Sequence, residues 1–197
     1  MDASYKPRQS KQPIVFTALA TLAGAFLFWA VFLRPASTPT APVVTKAVAV
    51  LKGDYGASGT VTLVQSAPGA QVTITGELQG LDPRAQRGFH IHTAGDLSSG
   101  CASAGAHFNP FGQTHGAPSD TSRHVGDLGN IQSDAQGEAK FTIEDSLVSL
   151  NGPLSVVGRA FVLHSGTDDL GRGDNEESLK TGNAGGRAAC GVIGIAQ

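Results

Sequence analysis

The chain carries six histidines, and all of them fall between residues 90 and 164: His90, His92, His107, His115, His124 and His164. Neutral imidazole is the commonest protein ligand for metal ions, so their spacing decides what they can do. Phe89-His90-Ile91-His92 reads as a strand, and a period of two puts both rings on one face, where they can grip one metal ion. Alone, such a His-x-His pair is weak evidence. The second group is more specific: His107, His115, His124 and Asp127 fall within 21 residues of mostly loop sequence. Three imidazoles and one carboxylate are a natural tetrahedral set for zinc, and His124-Val125-Gly126-Asp127 supplies two of them from one tight turn. The alternative is a handful of solvated loop histidines, against which stands the gathering of every histidine in one region.

Elements able to hold these residues follow from the rest of the pattern. Charged residues are only 15% and glycine is 26 of 197, roughly twice the usual share, which disfavours a helical bundle and favours turn-rich β structure. Residues 47–51, 60–64 and 71–76 are short alternating runs separated by Gly, Pro, Asp and Ser, as antiparallel strands joined by turns would be. Residues 88–92, 138–143, 156–164 and 191–195 complete an all-β set suited to a sandwich or barrel. Two segments, 93–123 and 165–187, break the rhythm, and loops of that length inside a domain usually carry function.

The formal net charge of −2 excludes wholesale nucleic-acid binding. That average hides a division: the first 44 residues sum to +3 and the remainder to −5. Residues 14–33 run without a charge, and a helix of that length is about 30 Å long, enough to span a bilayer. A buried core helix is the alternative, but Lys6, Arg8, Lys11 and Arg34 flank the run as they would a membrane segment. The domains expected are therefore a basic cytoplasmic N-terminus at 1–13, a transmembrane signal anchor at 14–33, a Pro-rich stalk at 34–44 and a folded domain at 45–197. The excess of bases before the span puts that domain on the periplasmic or extracellular side of the membrane. A cleaved signal releasing a soluble secreted domain is the alternative, although no small-x-small site follows Leu33 convincingly. On that side of a membrane the two cysteines, Cys101 and Cys190, should form a disulfide, free thiols or further metal ligands being the alternatives.

Four stretches, in this order, resemble the copper/zinc superoxide dismutases over about residues 45 to 197: Gly88 to His92, Cys101 to Pro110, His124 to Asn130 and Gly182 to Gly194. The form is similar to the eukaryotic type. This resemblance implies an eight-stranded antiparallel Greek-key β-barrel with long metal-binding and electrostatic loops, and one copper and one zinc ion per subunit. It assigns copper to His90, His92, His107 and His164, and zinc to His107, His115, His124 and Asp127, with His107 bridging the two ions. Asp168 matches the carboxylate that links His90 to His115. The implied reaction converts superoxide to dioxygen and hydrogen peroxide, with His107 supplying a proton. Arg187 matches the arginine at the copper mouth that holds the anion, and Glu176, Glu177 and Lys180 match the loop that shapes the field around it.

Two departures from the family pattern bear on these expectations. Asp174 stands where glycine is expected and adds a negative charge near the mouth. Ala94 stands where the eukaryotic type has a large apolar residue at its dimer contact, so the homodimer implied through Gly191 to Ala196 is expected to be weaker. A non-enzymatic metal carrier on the same fold is the competing class. Such relatives usually lose copper ligands or the mouth arginine, whereas His90, His92, His107, His164 and Arg187 are all present.

Overall fold

Alternation of apolar and polar side chains builds the sheet. Along Lys46–Lys52 (β1), Ala47, Ala49 and Leu51 point into the core while Lys46, Val50 and Lys52 face outward. The same period of two buries Val61 and Leu63 of Ser58–Gln65 (β2), and Val72, Ile74 and Leu78 of Val72–Gln79 (β3). The remaining strands are Gln86–His92 (β4), Ser98–Cys101 (β5), Asp127–Gln132 (β6), Ala139–Asp145 (β7), Ala160–His164 (β8), Arg187–Val192 (β9) and Gly194–Ile195 (β10). This is a computed structural model, and it describes residues 21–33, 42–54 and 56–197.

Eight of the strands pair antiparallel in the order β6-β4-β8-β9-β1-β2-β3-β7, and β10 adds to β1. The end strands β6 and β7 approach one another, so the barrel is nearly closed. Placing β4 between β6 and β8, and returning β7 to the side of β3, requires the crossovers of a Greek key. Phe89 stacks on Phe161 at 4.9 Å and meets Phe141 edge-on at 5.2 Å, filling the core beneath β4 and β8. The barrel begins at Val44: its N–H donates to Asn151 Oδ1 at 2.9 Å and its carbonyl accepts from Asn151 Nδ2 at 2.8 Å. The buried Gln65 amide oxygen holds Asn151 in turn, at 3.0 Å.

Most strands expected from the pattern are present, with four differences, the first being that β6, Asp127–Gln132, is not among those expected. Residues 156–159 are not strand: Arg159 N–H turns back to the Val156 carbonyl at 3.0 Å, and only Ala160–His164 enters the ladder. The final run is split, because Ile193 leaves the ladder to pair with Arg159 O through its N–H and with Gly158 N–H through its carbonyl, both at 2.8 Å. The long segments also contain order: β5 and a 3-10 turn at Ala102–Ala104 in the first, and a short helix at Ser178–Thr181 in the second.

The chain divides into two units, Met1–Ala41 and Pro42–Gln197. In the first, residues 21–28 are α-helical and Trp29–Leu33 continues as a π-helix. Residues 21–33, the described part of the expected span, are thus helical throughout. Among the described residues no helix is long and apolar enough to cross a membrane, so the expected span is not seen as such. Residues 14–20 of that span, the segment 1–13 and residues 34–41 of the expected stalk lie outside the described residues.

Candidate metal centre

The histidines enter one region from different elements. His90 and His92 come from β4, His164 ends β8, and His107, His115 and His124 come from the first long segment. Register irregularities aim them: the β4–β6 ladder shifts between Gly88 and His90 and then sets His90 opposite Asp127. Likewise the β8–β9 ladder shifts at Leu163/His164 and sets His164 opposite Arg187. All six rings, with Asp127 and Asp168, are at most 5% exposed.

They form two groups of four that share His107: His90, His92, His107 and His164, and His107, His115, His124 and Asp127. In each group the potential ligand atoms lie within 4.8 Å of one another. A third group, His90, His115 and Asp168, has the carboxylate between two rings: Asp168 Oδ2 accepts from His90 Nε2 and Oδ1 from His115 Nε2, both at 2.8 Å. The structure thus brings together each of these expected residues.

Hydrogen bonds decide which nitrogen of each ring remains open. His92 Nδ1 donates to Gly105 O at 2.8 Å and His164 Nδ1 to Gly185 O at 3.2 Å, because a carbonyl can only accept. Their Nε2 lone pairs therefore face one another at 3.2 Å. Among the described residues His90 Nδ1 and His107 Nε2 have no hydrogen-bond partner although buried. Lone pairs converging without a donor repel, and a cation removes that repulsion. Four imidazole nitrogens suit copper.

The second group poses the same problem in another form. Asp127 Oδ2 is taken by the backbone N–H of His124 at 2.8 Å and of Gly116 at 3.2 Å. Its Oδ1 then meets Nδ1 of His107 at 2.9 Å and of His115 and His124 at 3.0 Å, with His115 Nδ1 outside hydrogen-bond geometry. Burial would raise the Asp127 carboxyl, but the close approach of these three rings holds it far below the usual carboxylate range. Burial lowers His115, yet Asp127 and Asp168 overcome that and push it up to about 9. The group therefore calls for positive charge at its centre, and three imidazoles with one carboxylate suit zinc.

Burial holds His90 at about 3, His92 at about 2 and His164 at about 4, all below the ordinary 6.5, so these rings are neutral in the fold. Their folded values are depressed, so in metal-free protein their contribution to stability is complete above 6.5 and is lost as pH falls from there through about 4, 3 and 2 for His164, His90 and His92. His115 acts oppositely, and its contribution, complete below 6.5, disappears as pH rises through about 9. Metal-free protein should accordingly melt earlier at about pH 5 than at about pH 7. Equal midpoints would contradict this balance.

Above the shared ring lies a cavity of about 650 Å³, lined by His92, His107, His164, Arg187, Lys180 and Glu177. Arg187 is seated by backbone carbonyls: Nη1 donates to Cys101 O at 2.6 Å and Ala102 O at 3.1 Å, and Nη2 to Gly105 O at 2.5 Å. Cys101 is itself disulfide-bonded to Cys190, with Cα atoms 5.6 Å apart. Lys180 pairs with Glu176 at 3.1 Å on the surface, and Glu177 bonds Thr181 at 2.8 Å. Asp174 is exposed in the same segment.

Several supporting residues are not evident from residue type. Asn130 brackets Asp168, accepting from its N–H at 2.7 Å and donating to its carbonyl at 2.8 Å. Gly182 has φ 66°, and a Cβ there would lie 1.9 Å from Asp168 Oδ1. The only prior sign of Gly182 was its place in a matched stretch. Arg123 is buried, ion-paired to Asp145, and donates to Asp127 O at 2.8 Å.

Comparison with known proteins agrees with this geometry. A family model described as copper/zinc superoxide dismutase matches residues 57–193. A "Superoxide dismutase [Cu-Zn]" of Candida glabrata is 66% identical over 152 residues, which is 77% of this chain and 99% of the relative. The protein of that name from Cordyceps militaris is 64% identical, covering 78% of this chain and 99% of the relative. That from Saccharomyces cerevisiae is 59% identical, covering 77% and 99% respectively. Identity at this level, carried along nearly the full length of each relative, makes the chain an enzyme of the copper/zinc superoxide dismutase family, with copper and zinc as its cofactors.

Proposed function

We propose that the domain dismutates superoxide at the floor of the cavity beneath Arg187, on the far side of a membrane from the N-terminus. The observation that carries the reading is the pair of four-donor groups sharing His107 directly below that arginine. His90, His92, His107 and His164 would hold copper, and His107, His115, His124 and Asp127 would hold zinc. A copper ion held there would supply one-electron redox chemistry, and the zinc ion would keep its oxidation state.

The chain supplies the rest. Asp168 fixes the tautomers of His90 and His115 by accepting from both Nε2 atoms. Arg187, clamped by three carbonyls, presents its remaining N–H groups to the anion without having to reorganise. His107 Nε2, which has no hydrogen-bond partner among the described residues, can take a proton and pass it to the reduced oxygen species. Lys180 attracts the anion, and Glu176, Glu177 and Asp174 shape the field.

The full chain loaded with copper and zinc should accelerate superoxide decay, and the rate should fall as salt rises, because screening weakens steering toward Arg187 and Lys180. Stopped-flow decay at increasing ionic strength tests this. No acceleration at full metal occupancy would overturn the function, and a flat or rising salt profile would overturn steering alone.

Membrane attachment through residues 14–33 is supported by their lack of charge, and by the exposure of Leu22, Phe26, Phe28 and Phe32 among those described. The disulfide fits an oxidising compartment. Membrane fractionation should retain the protein, whereas a soluble form beginning after residue 34 would favour the cleaved, secreted alternative. A homodimer is supported by exposed Val50, Val192 and Ile195 on neighbouring strands, with Ala94 weakening it. Sedimentation at micromolar concentration should show a dimer, and a monomer would count against it.

A further inference from the structure

Arg159 lies outside both groups of metal donors. It is half-buried, and its backbone is pinned from two sides: N–H to Val156 O at 3.0 Å, and carbonyl to Ile193 N–H at 2.8 Å. From this fixed base the guanidinium lies over the Phe108 ring, with Cζ 3.6 Å from the ring centroid. Its Nη1 donates to Thr93 O at 2.6 Å and its Nε to Ser155 O at 3.1 Å. Among the described residues no carboxylate pairs with it.

Two of its three partners, Phe108 and Thr93, adjoin the shared histidine. Phe108 follows His107 in the chain, its N–H bonded to Ile91 O at 2.8 Å and its carbonyl to Gly126 N–H at 3.0 Å. Thr93 reaches back over the same segment, with its N–H on Ala106 O at 2.8 Å and its Oγ1 on His107 O at 3.2 Å. Phe108 is 5% exposed, so its ring cannot shift without opening the core.

We propose that Arg159 is a positioning residue for His107: it clamps Phe108 from above and Thr93 from the side, and so fixes the depth at which the His107 ring sits between the two donor groups. A planar fork suits this task because one group stacks on a ring and donates in its own plane. An ammonium reproduces the charge over the ring but not the double hold. This rests on the proposed role of His107 as the residue common to both ions.

The test uses the full chain with cobalt(II) in the zinc group and copper(II) in the copper group, read by cobalt visible absorption, copper electron paramagnetic resonance and chelator competition. Arg159→Ala should shift both spectra and lower both affinities by about tenfold, at the lower end of what losing an outer partner of a ligand costs. Arg159→Lys should recover most of the affinity while keeping a residual spectral shift. Val61→Ala, which opens a cavity on β2, should lower the melting temperature and leave both spectra as in the parent. If Arg159→Ala does not fold, Phe108→Leu keeps an apolar filler and removes the ring, and should shift the same two spectra.

Parent spectra and affinities in Arg159→Ala, or in both Arg159→Lys and Phe108→Leu, would overturn the proposal and leave Arg159 a purely structural residue. A parent chain that binds neither ion would overturn the assignment of His107, and this inference with it.

Discussion

Replacing His164 by alanine should abolish superoxide decay, with a loss well beyond the roughly 10–100-fold that follows from removing an outer partner of a metal ligand. His164 closes β8, is 4% exposed, and is held by Nδ1 on Gly185 O at 3.2 Å. His164 belongs to the four-histidine group proposed to hold copper, and its Nε2 sits 3.2 Å from that of His92. With the ring gone three nitrogens remain. No neighbouring carboxylate replaces the fourth, because Asp168 is occupied by His90 and His115. The zinc group shares none of its atoms with His164, so cobalt(II) taken up there should keep its parent absorption. Stopped-flow decay with metal content measured on the same sample decides the matter. An active variant retaining stoichiometric copper would remove His164 from the copper group.

The second large effect concerns stability. Cys101 and Cys190 are separated by 89 positions, and closing a loop of that size contributes about 4–5 kcal/mol in the chain-entropy model. The Cys101→Ser, Cys190→Ser double variant should therefore melt about 10–20 °C lower. A functional loss should accompany it, since Cys101 O and Ala102 O seat the Arg187 guanidinium. Freed from the bridge, that segment holds Arg187 less firmly and the salt dependence of the rate should flatten. Calorimetry of oxidised parent and double variant measures the first effect. A shift of only a few degrees would mean that the unfolded chain is already restrained without the bridge.

The strands were legible wherever alternation is local, as in Ala47, Ala49 and Leu51 or Val72 and Ile74, because each buried side chain has its period written in its neighbours. Where a glycine interrupts the period, the local pattern no longer marks the strand or its ends. Gly158, at φ 83°, turns the chain before β8, and Gly129, at φ 73°, interrupts the alternation of β6. β6 begins at Asp127, a residue readable as a ligand while its strand was not.

By itself the sequence determined which chemistry was available: the number and type of ligands, the cysteine pair, the barrel-forming alternation, and the family they resemble. Those are properties of single residues and short periods. The tertiary structure alone decided which nitrogen of each ring stays open, since Gly105 O, Gly185 O and Asp168 come from segments far from the rings they hold. It also decided the seat of Arg187, the close approach of Gly182 to Asp168, and the clamp of Arg159 on Phe108. The physical reason is common to all of them. A lone pair's direction and a guanidinium's stacking depend on the register of strands distant in sequence, and ladder shifts such as those before His90 and His164 leave no local period to read.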